Sequence, residues 1–559
     1  MVLTHPTGYA NLLLMHFVRK TLCSLGVLAS VSTIMCAQNH VSCTSLLSLA
    51  IENTVISSAR AIASGESIGQ LGPIPIPPQP PHCVVEGKIN KHIGADGIEY
   101  GDTFQLRLPD AWTGRFLYQG GGGLDGTLNP AVGPARPGFP TALARGYAVV
   151  STDAGHRGKN TSDGAFGADS QARADYFYRS TKLVAEVAQK IIEKYYGRKL
   201  SYAYMAGCST GGRESMLATQ RYPELFDGVI AGDPAFNVVH AAIAEAWFSR
   251  KFADIAPKDS QGKPALQRAF SDGDLQLLAG TVLQQCDGLD GLKDGTIDNP
   301  DACSFDPAVL QCKAEKNDTC LSAGQVNALH ITFAGPKDSK GASLYSDWPY
   351  DAGLGAPGWR IWTLGNEQMP AINVLIYPEF LNRVAMAAGE TPIADAFSFD
   401  FDKDPARVTP TGPLMDADST DLTAFRKRNG KLILDTGMSD PVFSANDLIG
   451  YYRRLAQQNG GMADTQQFAR LFRIPGMTHC FGGPALDSFD DLTPIETWVE
   501  KGTPPDRIVA TGREFPGRSR PLCPYPQIPR YKGAGSTEEA TSFACQNPQE
   551  PPRTDKQKQ

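Results

Sequence analysis

Residues 202–221 read Tyr-Ala-Tyr-Met-Ala-Gly-Cys-Ser-Thr-Gly-Gly-Arg-Glu-Ser-Met-Leu-Ala-Thr-Gln-Arg, and this stretch decides the fold. A β-prone run leads into the pentapeptide Gly-Cys-Ser-Thr-Gly, and a helical pattern follows it. A strand, a sharp turn of small residues and a helix together form the setting of a nucleophile elbow. Ser209 is therefore a candidate nucleophile, and the N–H of Thr210 at the helix N-terminus is a candidate oxyanion donor. A glycine-rich turn that matches by chance is the alternative.

The segments on either side alternate between strand and helix patterns. Two runs at 84–90 and 102–108 predict a hairpin. Further strands are predicted at 115–119, 147–152, 227–231, 431–434 and 468–474, and helices at 183–196, 445–458 and 494–501. This alternation predicts a mostly parallel sheet with helices on both faces, the α/β-hydrolase core. The pattern weakens from 237 to 418, which we expect to be an inserted lid domain between core segments 38–236 and 419–559.

The candidate base follows from chain order. In α/β-hydrolases the nucleophile precedes the acid, and the acid precedes the histidine. Only His240, His330 and His479 follow Ser209. The first two fall within or at the edge of the predicted lid, whereas His479 follows a strand and a Pro-Gly turn. We therefore expect His479 to be the base, and we interpret the upstream His156 as a structural histidine.

Two aspartates are candidates for the acid of the triad. Asp435 ends the strand predicted at 431–434, and Asp440 lies deeper in the following loop. We favour Asp440 because the loop after a strand usually presents the acid that orients the histidine. Asp435 stays open as the alternative, with a turn at the strand end as its other interpretation.

A tetraglycine, Gly120–Gly123, follows the strand predicted at 115–119. Glycine-rich loops in this position provide an oxyanion donor in many esterases. Gly123 or Gly122 is therefore a candidate for the second N–H donor. A loop that is merely flexible is the alternative.

The N-terminal residues have the pattern of an export signal. A basic start is followed by an apolar run over 21–35 that is too short to span a bilayer comfortably. We expect residues 1–37 to be a signal peptide, with Met15 as the true start, and the protein to be secreted or periplasmic. Lipid attachment at Cys36 is the weaker alternative.

The cysteines point to the same oxidising compartment. The chain has twelve, and the ten that follow the predicted signal peptide are enough for five bridges. Cys208 directly precedes Ser209, and Cys480 directly follows His479. A disulfide between them would bring the hydroxyl and the imidazole together. A redox-active or nucleophilic Cys208 is the rival interpretation.

Composition excludes two classes of partner. The net charge is −7 and no basic run stands out, so nucleic-acid binding has no support. No segment after the predicted signal peptide has the pattern of a transmembrane helix, so we expect no stable membrane span.

A second motif lies within the predicted lid. Residues 287–298 read Asp-Gly-Leu-Asp-Gly-Leu-Lys-Asp-Gly-Thr-Ile-Asp, with four carboxylates in twelve residues. Calcium favours flexible, oxygen-rich loops, although this spacing is not that of an EF-hand. A solvated Asp-Gly turn is the alternative.

Together these motifs resemble the tannase and feruloyl esterase family. The resemblance rests on Gly-Cys-Ser-Thr-Gly-Gly-Arg at 207–213, on Asp440 and on Pro-Gly-Met-Thr-His-Cys at 475–480, and it covers nearly the whole mature chain. Within the family, residues 437–440 and 520–528 are similar to bacterial terephthalate monoester hydrolases. The resemblance implies a serine carboxylic ester hydrolase that releases an aromatic acid through an acyl-enzyme.

The resemblance also implies roles for other residues. It implies Gly123 and Thr210 as the oxyanion donors. It implies a structural calcium ion held by the side chains of Asp287, Asp290 and Asp294, with the backbones of Leu292 and of Thr296 or Ile297 nearby. The disulfides that it implies are Cys43–Cys83, Cys208–Cys480, Cys286–Cys303, Cys312–Cys320 and Cys523–Cys545.

Substrate preference is where the chain departs from the terephthalate hydrolases. Trp362 and Phe443 are candidates for contact with an aromatic acyl group, and a core residue at the start of a helix is the alternative for Phe443. Thr363 stands where a second tryptophan is expected. No arginine aligns with the one that holds the free carboxylate, and Arg360 and Arg383 are the candidates. We expect hydrolysis of mono(2-hydroxyethyl) terephthalate to terephthalate and ethylene glycol. The alternatives are feruloyl or galloyl esters as substrates, or an aromatic-ligand binding protein without catalysis.

Overall fold

A nine-stranded sheet forms the centre of the fold. The structure is a computed structural model that describes residues 40–71, 74–134, 137–387 and 389–548. The predicted signal peptide, with Met15 and Cys36, lies outside the described residues. The strands are β1 (Thr54–Ile62), β2 (His82–Ile93), β3 (Glu99–Pro109), β4 (Arg115–Gln119), β5 (Ala148–Thr152), β6 (Tyr202–Cys208), β7 (Gly228–Gly232), β8 (Lys431–Gly437) and β9 (Ala469–Ile474).

The strand order across the sheet is β1-β2-β3-β5-β4-β6-β7-β8-β9. The first three strands and β5 pair antiparallel, whereas β5, β4 and β6 to β9 are parallel to one another. Parallel strands place their carboxyl ends along one edge of the sheet, where ligand sites of open α/β sheets lie. The ends of β6, β7, β8 and β9 therefore meet at one edge.

Helices cover both faces of this sheet. Leu432 and Leu434 of β8 pack with α1 (Ser180–Tyr196), α2 (Thr210–Arg221) and α8 (Ala445–Gln458) on one face. Ile433, which lies between them, packs on the other face with Trp498 of α9 (Leu492–Lys501). The alternation along the strand gives a sheet that is buried on both sides, so the predicted α/β-hydrolase fold is confirmed.

Between β7 and β8 the described chain adds no strand to the large sheet. It forms mainly helices, with its own apolar cluster around Phe248, Phe252 and Trp359. The longer helices are α3 (Val238–Ile255), α4 (Asp272–Cys286), α5 (Ala323–Phe333), α6 (Pro357–Thr363) and α7 (Ile372–Glu379). The weak periodicity of the sequence does not reveal these helices, because α3 is buried on most of its surface and has no broad polar face.

Smaller sheets complete the structure. Ser488–Phe489, Ile508–Thr511 and Ser519–Leu522 form an antiparallel sheet, and Ile528–Tyr531 pairs with Phe543–Gln546. Gln70–Leu71 pairs with Ile74–Pro75. The hairpin predicted at 84–90 and 102–108 is present as β2 and β3, while β1, which pairs with β2, is not predicted from the sequence.

Five disulfides link the described residues. They are the pairs that the family resemblance implies: Cys43–Cys83, Cys208–Cys480, Cys286–Cys303, Cys312–Cys320 and Cys523–Cys545. The Cys208 sulfur is therefore bonded and is not a free nucleophile. This number of disulfides fits a protein of an oxidising compartment. In the part of the chain that the structure describes, the helices fall short of the length and apolar character that a membrane crossing requires.

Candidate active site

Ser209 lies at a strained turn between β6 and α2. Its φ of 62° and ψ of −125° are a conformation that non-glycine residues rarely adopt, and such strain marks functional turns. The turn is tight because a Cβ on Gly207 would lie 2.5 Å from the carbonyl carbon of Gly211. The N–H of Ser209 donates to the Gly232 carbonyl at 3.0 Å, which anchors the turn to the end of β7. The half-buried Ser209 thus occupies the predicted elbow.

His479 and Asp440 are hydrogen-bonded to each other. The imidazole Nδ1 lies 2.8 Å from Asp440 Oδ2, and Asp440 is only 1% exposed. The other oxygen, Oδ1, accepts the N–H groups of Val442 at 2.7 Å and Phe443 at 3.1 Å, so the carboxylate is fixed by its own loop. Asp435 instead lies on β8, where its carboxylate faces Gly232.

The charge of Asp440 acts on His479. Burial opposes protonation of the imidazole, but the charge and hydrogen bond of Asp440, with a further contribution from Asp233, outweigh it and raise the pKa of His479 above its ordinary value of 6.5. A histidine with a raised pKa is a stronger base and a more stable imidazolium. The other histidines that follow Ser209 have partners between β7 and β8: His240 contacts the Leu344 carbonyl, and His330 pairs with Asp306.

A disulfide links the two sides of the site. Cys208 and Cys480 are 272 residues apart in sequence, and their Cα atoms are 6.1 Å apart. Ser209 and His479 are the covalent neighbours of these cysteines. Among the described residues the Ser209 hydroxyl forms no hydrogen bond with His479, and such contacts often tighten only when substrate binds.

The tetraglycine loop contacts the first turn of α2. Thr210 Oγ1 donates to the Gly123 carbonyl at 2.5 Å, which holds Gly123, rather than Gly122, against the helix. Gly123 has a φ of +60°, and a Cβ there would lie 2.5 Å from the Thr161 carbonyl oxygen. Within the described residues, neither the N–H of Gly123 nor that of Thr210 donates to a protein acceptor. Two N–H groups are thus available near Ser209 to bind an oxyanion.

Two aromatic rings flank the imidazole. The ring centroids of Trp362 and Phe443 lie 5.2 Å and 5.4 Å from that of His479, both in edge-on arrangements. Both side chains are half-buried, so part of each ring is open to a ligand. Edge-on packing of this kind orients an imidazole, and the two rings form an apolar wall beside it.

Arg360 and Arg383 have other partners. The Arg360 guanidinium donates to the carbonyls of Phe270 at 3.0 Å and Gln267 at 2.5 Å, and it pairs with Asp272 at 3.2 Å. Arg383 pairs with Glu379 of α7 at 2.8 Å and is mostly exposed. Among the described residues, the polar partners of these two arginines do not include Ser209, Asp440 or His479.

The acidic loop at 287–298 folds around its own backbone. Asp287 accepts the N–H groups of Asp294 and Gly295, and Asp290 accepts that of Leu292. Asp294 accepts the hydroxyl of Thr296 at 2.8 Å. The loop is further held by Cys286–Cys303 and by Arg520 and Arg530, which bond to the Asp294 carboxylate and the Asp290 carbonyl.

Two carboxyls of this loop are buried with excess negative charge around them. Burial, followed by repulsion from Asp294 and Asp287, raises the pKa of Asp290 to about 6. Burial, followed by repulsion from Asp290 and Asp294, raises the pKa of Asp298 to about 8. Carboxylate oxygens are the ligands that calcium prefers. Within the described residues, however, no three carboxylates of this loop have oxygens within 4.8 Å of one another, and the Asp294 carboxylate is bonded to Arg520, so the structure does not assemble the predicted calcium ligands.

Asp233 is a residue of the site that the sequence analysis missed. It follows β7, the strand between β6 and β8, so its position at the sheet edge next to the predicted elbow was an available signal. Asp233, Asp440 and His479 have ligand-type atoms within 4.8 Å of one another, and so do Asp233, Cys208 and Cys480. The Cys208 and Cys480 sulfurs are joined in a disulfide and are not thiolate donors.

Known proteins of similar sequence are ester hydrolases. A family model described as tannase and feruloyl esterase matches residues 90–546. The chain is 42% identical over 518 residues to mono(2-hydroxyethyl) terephthalate hydrolase of Piscinibacter sakaiensis, a match covering 84% of this chain and 85% of that protein.

Solved structures share the fold. The crystal structure of feruloyl esterase B from Aspergillus oryzae matches with a TM-score of 0.75 and 26% identity, covering 90% of this chain and 99% of that one. Tannin acyl hydrolase from Aspergillus niger matches with a TM-score of 0.67 and 22% identity, covering 89% and 92%, which supports the fold alone. The chain therefore belongs to the tannase and feruloyl esterase family of carboxylic ester hydrolases.

Proposed function

We propose that Ser209, His479 and Asp440 are the catalytic triad of this ester hydrolase. The observation that carries the proposal is the hydrogen-bonded His479–Asp440 pair, tethered through Cys480–Cys208 to a serine in a strained elbow. An alternative without catalysis has no support, since the family is one of carboxylic ester hydrolases.

The reaction follows from the roles of these groups. Ser209 Oγ attacks the ester carbonyl carbon while His479 Nε2 accepts its proton, and Asp440 stabilises the imidazolium. The N–H groups of Gly123 and Thr210 donate to the oxyanion. The imidazolium then protonates the leaving alcohol, which leaves an acyl-enzyme on Ser209. Water, deprotonated by His479, attacks the acyl-enzyme and releases the acid.

We propose mono(2-hydroxyethyl) terephthalate as the preferred substrate, with terephthalate and ethylene glycol as products. Support comes from the 42% identity to an enzyme named for this reaction. The half-buried rings of Trp362 and Phe443 beside His479 fit an aromatic acyl group.

Phenolic esters, such as feruloyl or galloyl esters, are the second candidate. One observation favours them: the Arg360 guanidinium is already bonded to two carbonyls and to Asp272. The free carboxylate of a terephthalate monoester therefore lacks this cation as a partner, and a buried anion without a partner is costly. A neutral phenol has no such requirement.

We propose that residues 237–418 form a lid over the site. The location of Trp362 within this segment, 5.2 Å from His479, supports the proposal. We also propose that the loop at 287–298 binds a structural calcium ion through Asp287, Asp290 and Asp294. The backbones of Leu292 and Thr296 lie in the same loop. The ion would offset the repulsion among its carboxylates. The five disulfides support secretion or periplasmic location, with lipid attachment as the less favoured variant.

Turnover of three esters tests the proposal. Wild-type protein and Ser209→Ala are assayed with mono(2-hydroxyethyl) terephthalate, methyl ferulate and methyl gallate, and acid release is measured by chromatography. We expect kcat/KM to be highest for the terephthalate ester and Ser209→Ala to lose about 10⁴-fold or more. Retained turnover in Ser209→Ala contradicts the triad, whereas a higher kcat/KM for a phenolic ester supports the second candidate.

A further inference from the structure

We propose that Asp233 is a positioning residue for His479, a second carboxylate that holds the histidine loop to the acid loop and adds its charge to the imidazolium. The proposal rests on the triad proposed above. It goes beyond that triad because Asp233 belongs to a different strand end, that of β7.

Asp233 bridges the two loops that carry the acid and the base. Its Oδ1 accepts the N–H of Gly437 at 2.7 Å, at the end of β8 and three residues before Asp440. Its Oδ2 accepts the N–H of Cys480 at 2.8 Å, the residue directly after His479. One side chain therefore sets the separation of the two loops, since each oxygen holds one of them.

Asp233 is itself held firmly. It is 1% exposed, and its own N–H donates to the Asp435 carbonyl of β8 at 2.9 Å. Its φ is 33°, and positive φ values also occur at Ser209 (62°) and Cys480 (65°). Backbone strain at non-glycine residues persists only where the surrounding structure enforces it, and it clusters at functional sites. Three of the eight described non-glycine residues with positive φ, Ser209, Asp233 and Cys480, meet around the Cys208–Cys480 disulfide.

The position of Asp233 gives its charge access to the imidazole. Ligand-type atoms of Asp233, Asp440 and His479 all lie within 4.8 Å of one another. The charged neighbours of His479 are thus Asp440 and Asp233, while Trp362 and Phe443 contribute uncharged rings. At this separation in a buried site, a carboxylate stabilises an imidazolium.

Other acids also act on this group. Burial, then the charges of Asp440 and Asp435, raise the pKa of Asp233, whereas a positive charge on His479 lowers it. Glu245 of α3 is a further buried acid whose pKa is raised, first by burial and then by Asp440. The N–H groups of Gly437 and Cys480, which the two oxygens of Asp233 accept, and a positive charge on His479 favour the carboxylate form over the acid.

Asp351 provides a matched control. It is also fully buried, and its Oδ2 accepts the Ser439 hydroxyl at 2.8 Å and the Gly476 N–H at 2.7 Å, so it bridges the same two loops from the lid segment. Asp351 is not among the groups that change the pKa of His479. If Asp233 is only a structural bridge, replacing Asp233 or Asp351 by asparagine should change the pKa of His479 to the same extent. If the charge of Asp233 acts on the imidazole, only the Asp233 substitution should lower that pKa.

The experiment compares Asp233→Asn and Asp351→Asn with wild-type protein. The pKa of His479 is measured by NMR titration of protein labelled with ¹³C-histidine, with the signal assigned by His479→Gln, because this readout needs no substrate. We expect a lower pKa for His479 in Asp233→Asn only. An unchanged pKa in Asp233→Asn, or an equal fall in both variants, overturns the proposal.

Kinetics with the best ester substrate provide the second readout. Because Asp233 acts on the imidazolium and not on substrate, we expect kcat to fall about 10–100-fold in Asp233→Asn while KM stays within about twofold. The acid limb of kcat/KM should move to lower pH. If the wild-type protein hydrolyses no ester but the NMR shift is present, the proposed function fails and the role of Asp233 stands. Thermal melting of each variant shows whether it is folded.

Discussion

Removal of the Cys208–Cys480 disulfide is expected to reduce both stability and turnover. The bridge closes a loop of 272 residues. The chain-entropy model gives a stabilisation of about 5–6 kcal/mol for that length. With an unfolding entropy of about 2.1 cal/mol/K per residue, a chain of 559 residues should lose about 5 °C in Tm. The variant should also lose activity at temperatures where it is fully folded, because the bridge positions Ser209 beside His479. We expect kcat to drop about 10–100-fold.

The assay uses the double variant Cys208→Ala/Cys480→Ala, which leaves no unpaired thiol. Tm is measured at one fixed scan rate for all proteins, because large disulfide-bonded proteins often unfold irreversibly. Cys312→Ala/Cys320→Ala is the matched control, since closing its loop of 8 residues stabilises by only about 2–3 kcal/mol and neither cysteine adjoins Ser209, Asp440 or His479 in sequence. An unchanged kcat in the first variant, measured well below its Tm, refutes the view that the bridge positions the site.

Further perturbations test other parts of the site. Gly123→Ala should lose about 10²-fold in kcat, because φ at this position is +60° and the new methyl group would lie 2.5 Å from the Thr161 carbonyl oxygen. Gly122→Ala is the control and should stay active, because its methyl group would have no neighbour within 4 Å. The acid limb of the kcat/KM profile should lie above pH 6.5, because the base must be neutral and Asp440 raises the pKa of His479; a limb below that value contradicts the assignment. Chelation of calcium should lower Tm, and metal-free protein with unchanged Tm counts against the ion.

Much of the core was predictable because its signals are local. The helix at 445–458 has the predicted bounds, and the strand at 115–119 does too. The helix is identified by its one buried face and one polar face, and the strand by the short run Phe-Leu-Tyr between Arg115 and Gln119. The turn around Ser209 was equally predictable from the sequence, because a strand, a glycine-rich pentapeptide and a helix in this order fit few other structures.

The lid segment and parts of the site were less predictable. α3 is buried on most sides, so its pattern lacks the polar stripe that identifies a helix. Asp233 was missed because its contacts are with backbone N–H groups of residues more than 200 positions away. Arg360 was a reasonable candidate by type, but the carbonyls that hold it lie about 90 residues upstream and only the fold brings them close.

Asp351 has a consequence for exchange of the lid between relatives. This lid-segment carboxylate is bonded to Ser439 and Gly476, so the insert and the loops of the triad share a single set of polar anchors. Amide protons on both sides of that contact should therefore lose their protection against deuterium together, as one cooperative unit. A chimera that imports a foreign insert without an equivalent acid would leave the Ser439 hydroxyl and the Gly476 N–H without this partner, and it should unfold at a lower temperature however well the new pocket fits the ester.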